Sequence, residues 1–144
     1  MIVNERGFTL IELLVGAMVI GIIGAIVAPQ FGSTLQAYRL NGAVKVVWGD
    51  LQKARLMAIK ENRSIRVDFA GTSYNIVRVG VDPGLVFSRN LVASYPGVTV
   101  SMQTNTITFG STGTAGGSRT VQVQSLGRTK TFTILTTGRI GNFS

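Results

Sequence analysis

The chain of 144 residues contains no cysteine and no histidine. The first absence removes disulfides and thiolate metal sites. The second removes the commonest general base and the commonest metal ligand. Acids are scarce as well: Glu5, Glu12, Asp50, Glu61, Asp68 and Asp82 are the whole set, and they never cluster. Asp68 and Asp82 together fall short of the oxygen ligand set that calcium requires. Serine and threonine are plentiful, but no base stands at a spacing that would activate them as nucleophiles. The expectation is a protein that is not an enzyme and uses no cofactor or metal.

What the chain does have is positive charge and a long apolar run. Its net charge is +8 with a pI near 10.9. Thirteen of the 14 basic residues lie from Arg39 onward, against four acids in the same stretch. The excess therefore belongs to the C-terminal part, which should be drawn to polyanions such as nucleic acid, anionic lipid or acidic proteins. Equally, Arg and Lys serve solubility on a surface rich in Gly, Thr and Ser, and no two basic residues are adjacent. The length allows one domain plus an appendage, with ~110 residues left for a single modest core.

The apolar run extends from Phe8 to Phe31, interrupted by Glu12 and a few polar residues. It meets the ~20 residues that a bilayer-spanning helix needs. It is longer than the ~7–15 residues of a cleavable signal core and is followed by Pro29 instead of a small-residue cleavage site. An ordinary anchor leaves Glu12 unexplained, because a carboxylate at mid-bilayer costs ~2.5–3.5 kcal/mol. One account is local: Thr9-Leu10-Ile11-Glu12 reads as a capping box, with the acid at the positive end of the helix.

The flanking residues add a second account. Glu5-Arg6-Gly7 followed by Phe8-Thr9-Leu10-Ile11-Glu12 and the long apolar run closely resembles the class III signal of type IV prepilins and type II secretion pseudopilins. The resemblance covers Arg6 to about Pro29. It implies that prepilin peptidase cuts between Gly7 and Phe8 and methylates the new Phe8 amine. It also implies an inner-membrane protein of one pass, its C-terminal domain periplasmic, that later enters a filament with other pilin or pseudopilin subunits. The cationic amine of Phe8 can then meet the Glu12 carboxylate of a neighbouring subunit, pairing two charges that are costly alone in an apolar core. Capping and pairing are compatible. Ala17, Gly21 and Ala25 form a small-residue stripe of the kind that lets helices approach. Pro29 and Gly32 weaken the helix just beyond the run.

From residue 31 to about 62 the pattern becomes amphipathic. Leu40, Val44, Val47, Leu51, Ala54 and Ala58 recur at alternating steps of four and three and form a stripe to bury on a sheet. Strand patterns follow at Ser64–Phe69, Ser73–Val79, Leu85–Phe87, Gly97–Met102, Thr106–Phe109, Thr120–Gln124 and Thr131–Leu135. Asp82-Pro83-Gly84 and Gly127-Arg128 read as turns, and Gly110–Ser118 as a flexible loop. The expected class is α+β: a long N-terminal helix, half membrane and half amphipathic, packed on one or two antiparallel sheets in the pilin lollipop. The divisions are a leader (1–7), a membrane or filament-core helix (8–30), an amphipathic half (31–62) and a β-rich domain (63–144).

Asp50-Leu51-Gln52-Lys53-Ala54-Arg55-Leu56-Met57-Ala58-Ile59-Lys60, Arg66-Val67-Asp68-Phe69, Ile107-Thr108-Phe109 with its Gly-rich loop, and Gly138-Arg139-Ile140 together resemble the GspH/FimT group of minor pilins and pseudopilins. The resemblance implies a minor subunit at or near the filament tip that helps to prime assembly. Some FimT-type pilins bind DNA through a Gly-Arg-x-Arg motif. Here Gly138-Arg139-Ile140-Gly141 keeps the first arginine and has glycine in place of the second. Arg119, Arg128, Lys130 and Arg139 could form a phosphate-binding patch, or Arg139 could cap the last strand or touch a neighbouring pilin. A major pilin is the remaining alternative.

Overall fold

The computed structural model describes residues 8–143, apart from the side chains of 28–31. The expected leader, residues 1–7 with Gly7, lies outside them. The chain divides into two compact units, Met1–Leu35 and Gln36–Ser144, each considered separately below. Gly32 to Leu35 are exposed, and Gln36 is half-buried.

In the first unit the described residues form the N-terminal part of helix α1, Leu10–Lys60. Thr9 stands just before the helix, and its Oγ1 accepts a hydrogen bond from the Glu12 amide at 3.3 Å. That satisfies one of the backbone donors left free at a helix start. The backbone remains helical through Pro29 and Gly32. Phe8, Leu10, Ile11, Leu13, Ile20, Ile22, Ile23 and Ile26 are all more than half exposed.

The second unit holds the core. The C-terminal part of α1 carries the stripe foreseen from its period, with Leu40, Val44, Val47, Leu51, Ala54 and Ala58 all at 3% exposure or less. Seven strands follow: β1 Ile65–Phe69, β2 Ser73–Arg78, β3 Leu85–Asn90, β4 Val98–Met102, β5 Thr106–Phe109, β6 Arg119–Ser125 and β7 Arg128–Ile134. They make two antiparallel sheets, β3-β2-β1-β5 and β4-β6-β7. Alternate residues face the core: Ile65, Val67 and Phe69 on β1, Val98, Val100 and Met102 on β4, Val121 and Val123 on β6. This is the one-sided patterning expected when a helix covers one face of an antiparallel sheet.

Three local expectations are corrected. β3 runs on to Asn90, whose side chain accepts from the Val92 amide and starts a short helix, α2 Leu91–Ser94. The β6–β7 turn is Leu126-Gly127, with φ of 43° and 82°, so Arg128 opens a strand instead of sitting in the turn. The Gly110–Ser118 loop is tied down: the Ala115 amide donates to the Thr136 carbonyl, the Gly116 amide to Thr108, and Ala115 is buried. The Arg55 guanidinium also donates to the Gly113 carbonyl at 3.0 Å.

Distant segments are pinned to the helix by polar contacts. Asp50 is 2% exposed. It accepts from the Tyr74 hydroxyl at 2.6 Å and from Arg89 through Nε at 2.6 Å and Nη2 at 3.2 Å. Lys53 stands 3.6 Å away. Burial, together with the Asp50 carboxylate, pushes the Tyr74 phenol well above its ordinary range. Trp48 Nε1 donates to the Gly141 carbonyl at 3.1 Å and holds the C-terminal tail against the helix.

Candidate functional site

Two places carry the residues singled out from the sequence. The first is the start of α1. Phe8 is 84% exposed, and the Glu12 carboxylate makes no hydrogen bond or ion pair with the described residues. Its amide is occupied by the Thr9 cap, so half of the capping box is formed and the acid itself remains uncommitted. No part of the most apolar window of this helix is buried within the chain. A Cβ placed at Gly16, Gly21 or Gly24 would meet nothing within 4 Å. Such a surface is stable only when lipid or other helices cover it. Gly7, the other half of the expected cleavage site, lies outside the described residues.

The second place is the set of cations on β6, β7 and the following turn. The structure does not bring the four together. The register pairs Ser125 with Arg128 at one end of the β6–β7 hairpin and Arg119 with Ile134 at the other. A seven-residue strand separates those ends by roughly 20 Å.

Arg119 donates to the Ser118 carbonyl at 2.9 Å and to Thr104 Oγ1 at 3.3 Å, beside a crevice formed with Ile107 and Gly116. Arg139 lies toward that same end, since Ile140 bridges to Ile134. Its backbone closes the turn after β7: its carbonyl accepts from the Leu135 amide at 2.9 Å. Gly138 has φ of 76°, and a Cβ there would overlap the Gly113 carbonyl, so this glycine is required by packing.

Arg128 and Lys130 occupy the opposite end. With Thr129 they form one wall of a groove of about 390 Å³, whose other wall is Ala37, Leu40 and Asn41 of α1. Lys130 Nζ lies 5.7 Å from the centre of the Phe143 ring. Neither cation has an ion pair among the described residues. No group of three or more potential metal ligands occurs among the described residues. Sequence reading missed the Asp50–Tyr74–Arg89 network, although Asp50 follows Val47 by three residues and so borders the buried stripe.

The family description "Type II transport protein GspH" matches residues 43–138, and "Prokaryotic N-terminal methylation motif" matches residues 2–28. The chain belongs to the GspH family. Together the two matches make it a pilin-like protein of the GspH type. The methylation motif at its N-terminus marks it for prepilin peptidase and for assembly with other pilins. Its fold is similar to the type IV minor pilin FimU of Pseudomonas aeruginosa, with 20% identity and a TM-score of 0.61 over 73% of this chain and 88% of that one. It is similar also to the minor pseudopilin EpsH of the Vibrio cholerae type 2 secretion system, with 12% identity and a TM-score of 0.59 over 74% and 96%. At these identities the likeness concerns the fold. Comparison with curated protein sequences gives no significant match.

Proposed function

We propose that this GspH-family subunit is a non-enzymatic filament component. It is stored in the inner membrane by one pass, with its β-rich domain in the periplasm, and acts near the filament tip to prime assembly. The observation that supports this most is the start of α1. A carboxylate without a partner among the described residues sits four residues after Phe8, on a part of α1 whose apolar residues from Phe8 to Val27 are all exposed. Prepilin peptidase cuts between Gly7 and Phe8 and leaves a methylated amine on Phe8. That amine in one subunit then neutralises Glu12 in the next. A charge pair in an apolar interior is tolerated where either charge alone is not. Monomers with both charges unpaired thus gain more from packing together than from remaining in lipid.

The test separates storage from assembly. Glu12→Ala is expected to be processed to the same size as wild type and retained in the membrane fraction, yet to be missing from sheared filaments or to leave them unprimed. Normal incorporation of Glu12→Ala would remove the pairing mechanism. Abundance in the same sheared material addresses rank: a minor, tip-proximal subunit is rare relative to the main pilin, and a dominant band at this mass would make it the major subunit. A DNA-receptor role has less support, because the four cations named for it divide into two separated groups.

A further inference from the structure

The β6–β7 hairpin has features that assembly through α1 does not use. Its two turn residues both have positive φ, a conformation suited to Asn or Gly, yet the first of them is Leu126. A leucine side chain is strained there. It is also 70% exposed, so it contributes little to the core. Two residues on, Arg128 and then Lys130 line the groove against Ala37, Leu40 and Asn41, without acidic partners among the described residues. Between those helix residues stands Tyr38, 74% exposed, with Arg39 beside it and Leu35 half exposed just before. An apolar tip, several cations and an exposed tyrosine form the combination found where proteins meet the headgroup layer.

The position in the chain supplies the occupant. Ala37 follows Phe31, the last residue of the apolar run, by six residues. Six residues reach at most ~20 Å even when fully extended. The groove is therefore tethered close to the bilayer that holds the apolar run.

We propose that the Leu126-Gly127 turn, Arg128, Lys130 and the groove beside Tyr38 form a seat for anionic phospholipid headgroups, which docks the soluble domain on the membrane. Leu126 enters the boundary between headgroups and acyl chains. Arg128 and Lys130 receive the phosphates, with Asn41 and Thr129 as neutral hydrogen-bonding neighbours. The inference rests on the membrane-storage reading above. It adds that the stored subunit is held by its domain as well as by its helix, so extraction into a filament must also lift the hairpin off the lipid.

The absence of cysteine makes a direct test available. Full-length protein carrying Leu126→Cys, labelled with an environment-sensitive fluorophore, is reconstituted into vesicles of phosphatidylcholine alone or with phosphatidylglycerol. Gln103→Cys, in the β4–β5 turn at the far end of the second sheet, is labelled as the reference. A blue shift and quenching by headgroup-spin-labelled lipid are expected at position 126 in the anionic vesicles and not at position 103. Arg128→Gln with Lys130→Gln should reduce that occupancy by roughly fivefold per cation removed.

Equal solvent exposure of the 126 label in both lipids, with the helix inserted, overturns the seat and leaves the storage reading intact. Failure of the chain to resist alkaline extraction overturns both. Protection of the label in neutral vesicles by inorganic phosphate overturns the lipid assignment in favour of a free-anion site. Protection by a DNA duplex, lost with Arg128→Gln and Lys130→Gln, overturns it in favour of nucleic acid.

Discussion

The two parts of α1, one in each unit of the chain, follow opposite rules. Between Leu40 and Ala58 one apolar stripe, Leu40, Val44, Val47, Leu51, Ala54 and Ala58, lies at 3% exposure or less in the core of the domain, while Leu56 on another face is 63% exposed. Between Phe8 and Val27 apolar residues surround the helix, and every one of them is exposed. The first part satisfies its hydrophobic surface internally, as a globular helix does. The second leaves that surface for lipid or for other subunits. The acids differ in the same sense. Asp50 is buried and held by Tyr74 and Arg89, whereas Glu12 has no partner among the described residues. A helix can thus be finished in one part and unfinished in the other, and the unfinished part is the one proposed above to carry assembly.

The largest expected effect comes from removing the internally satisfied acid. Asp50→Ala leaves the Tyr74 hydroxyl and the Arg89 guanidinium without their acceptor. Because Arg89 is partly exposed, the loss should lie near the lower end for a broken buried pair, about 3 kcal/mol. Denaturant unfolding of the detergent-solubilised chain measures it, and an unchanged midpoint would show that the network is not what holds β2 and β3 to the helix.

Next comes a matched pair of truncations. Val47→Ala should lower domain stability by about 2 kcal/mol through lost burial and a residual cavity. Ile20→Ala, made in the exposed part, should leave the same unfolding curve in place and lower filament incorporation instead. Equal destabilisation by both would erase the contrast between the two parts.

A smaller effect is expected from Tyr74 at alkaline pH. Its folded pKa is raised above the ordinary value of 10.0 by burial and by Asp50. The unfolded chain therefore loses this proton first. The contribution is complete below about pH 10 and declines above it, by at most ~1.4 kcal/mol per pH unit. Tyr74→Phe should flatten the alkaline fall in melting temperature. The smallest effect belongs to Glu61, which accepts from Arg78 at 2.8 and 3.0 Å on the surface. The hydrogen bond from Arg78 lowers the Glu61 pKa, so its contribution is present at neutral pH and lost on acidification through the folded value. Glu61→Gln should shift the melting temperature only slightly, and less still in high salt.

Much of the domain was legible because periodicity reports burial directly. The stripe from Leu40 to Ala58 and the alternation in β1, β2, β4 and β5 follow from which face meets the core. Features set by single side chains were not legible. The short α2 depends on the Asn90 cap, and the path of the Gly110–Ser118 loop depends on Arg55 reaching the Gly113 carbonyl. The β6–β7 turn was displaced by one residue because Leu126 occupies a position where glycine or asparagine is the usual signal. At the candidate sites, Glu12 drew notice as an acid inside the apolar run, and Phe8 through the resemblance of the residues around it. The separation of the cations was not legible, because distance along the chain does not show that Arg119 and Arg128 occupy opposite ends of one hairpin.

The tail clamp between Trp48 and Gly141 has a consequence in time. Its partners are 93 residues apart, and contacts of such long separation form late, after loop-closure entropy has been overcome. The packing of Gly138 on Gly113 likewise joins a late segment to an earlier loop, the one that Arg55 holds. The sheet β3-β2-β1-β5 is complete at Phe109, so helix and first sheet can meet before the segment that locks them. Docking of the tail is therefore expected as the last step in folding of the domain, with protection of the Trp48 indole lagging behind formation of the first sheet.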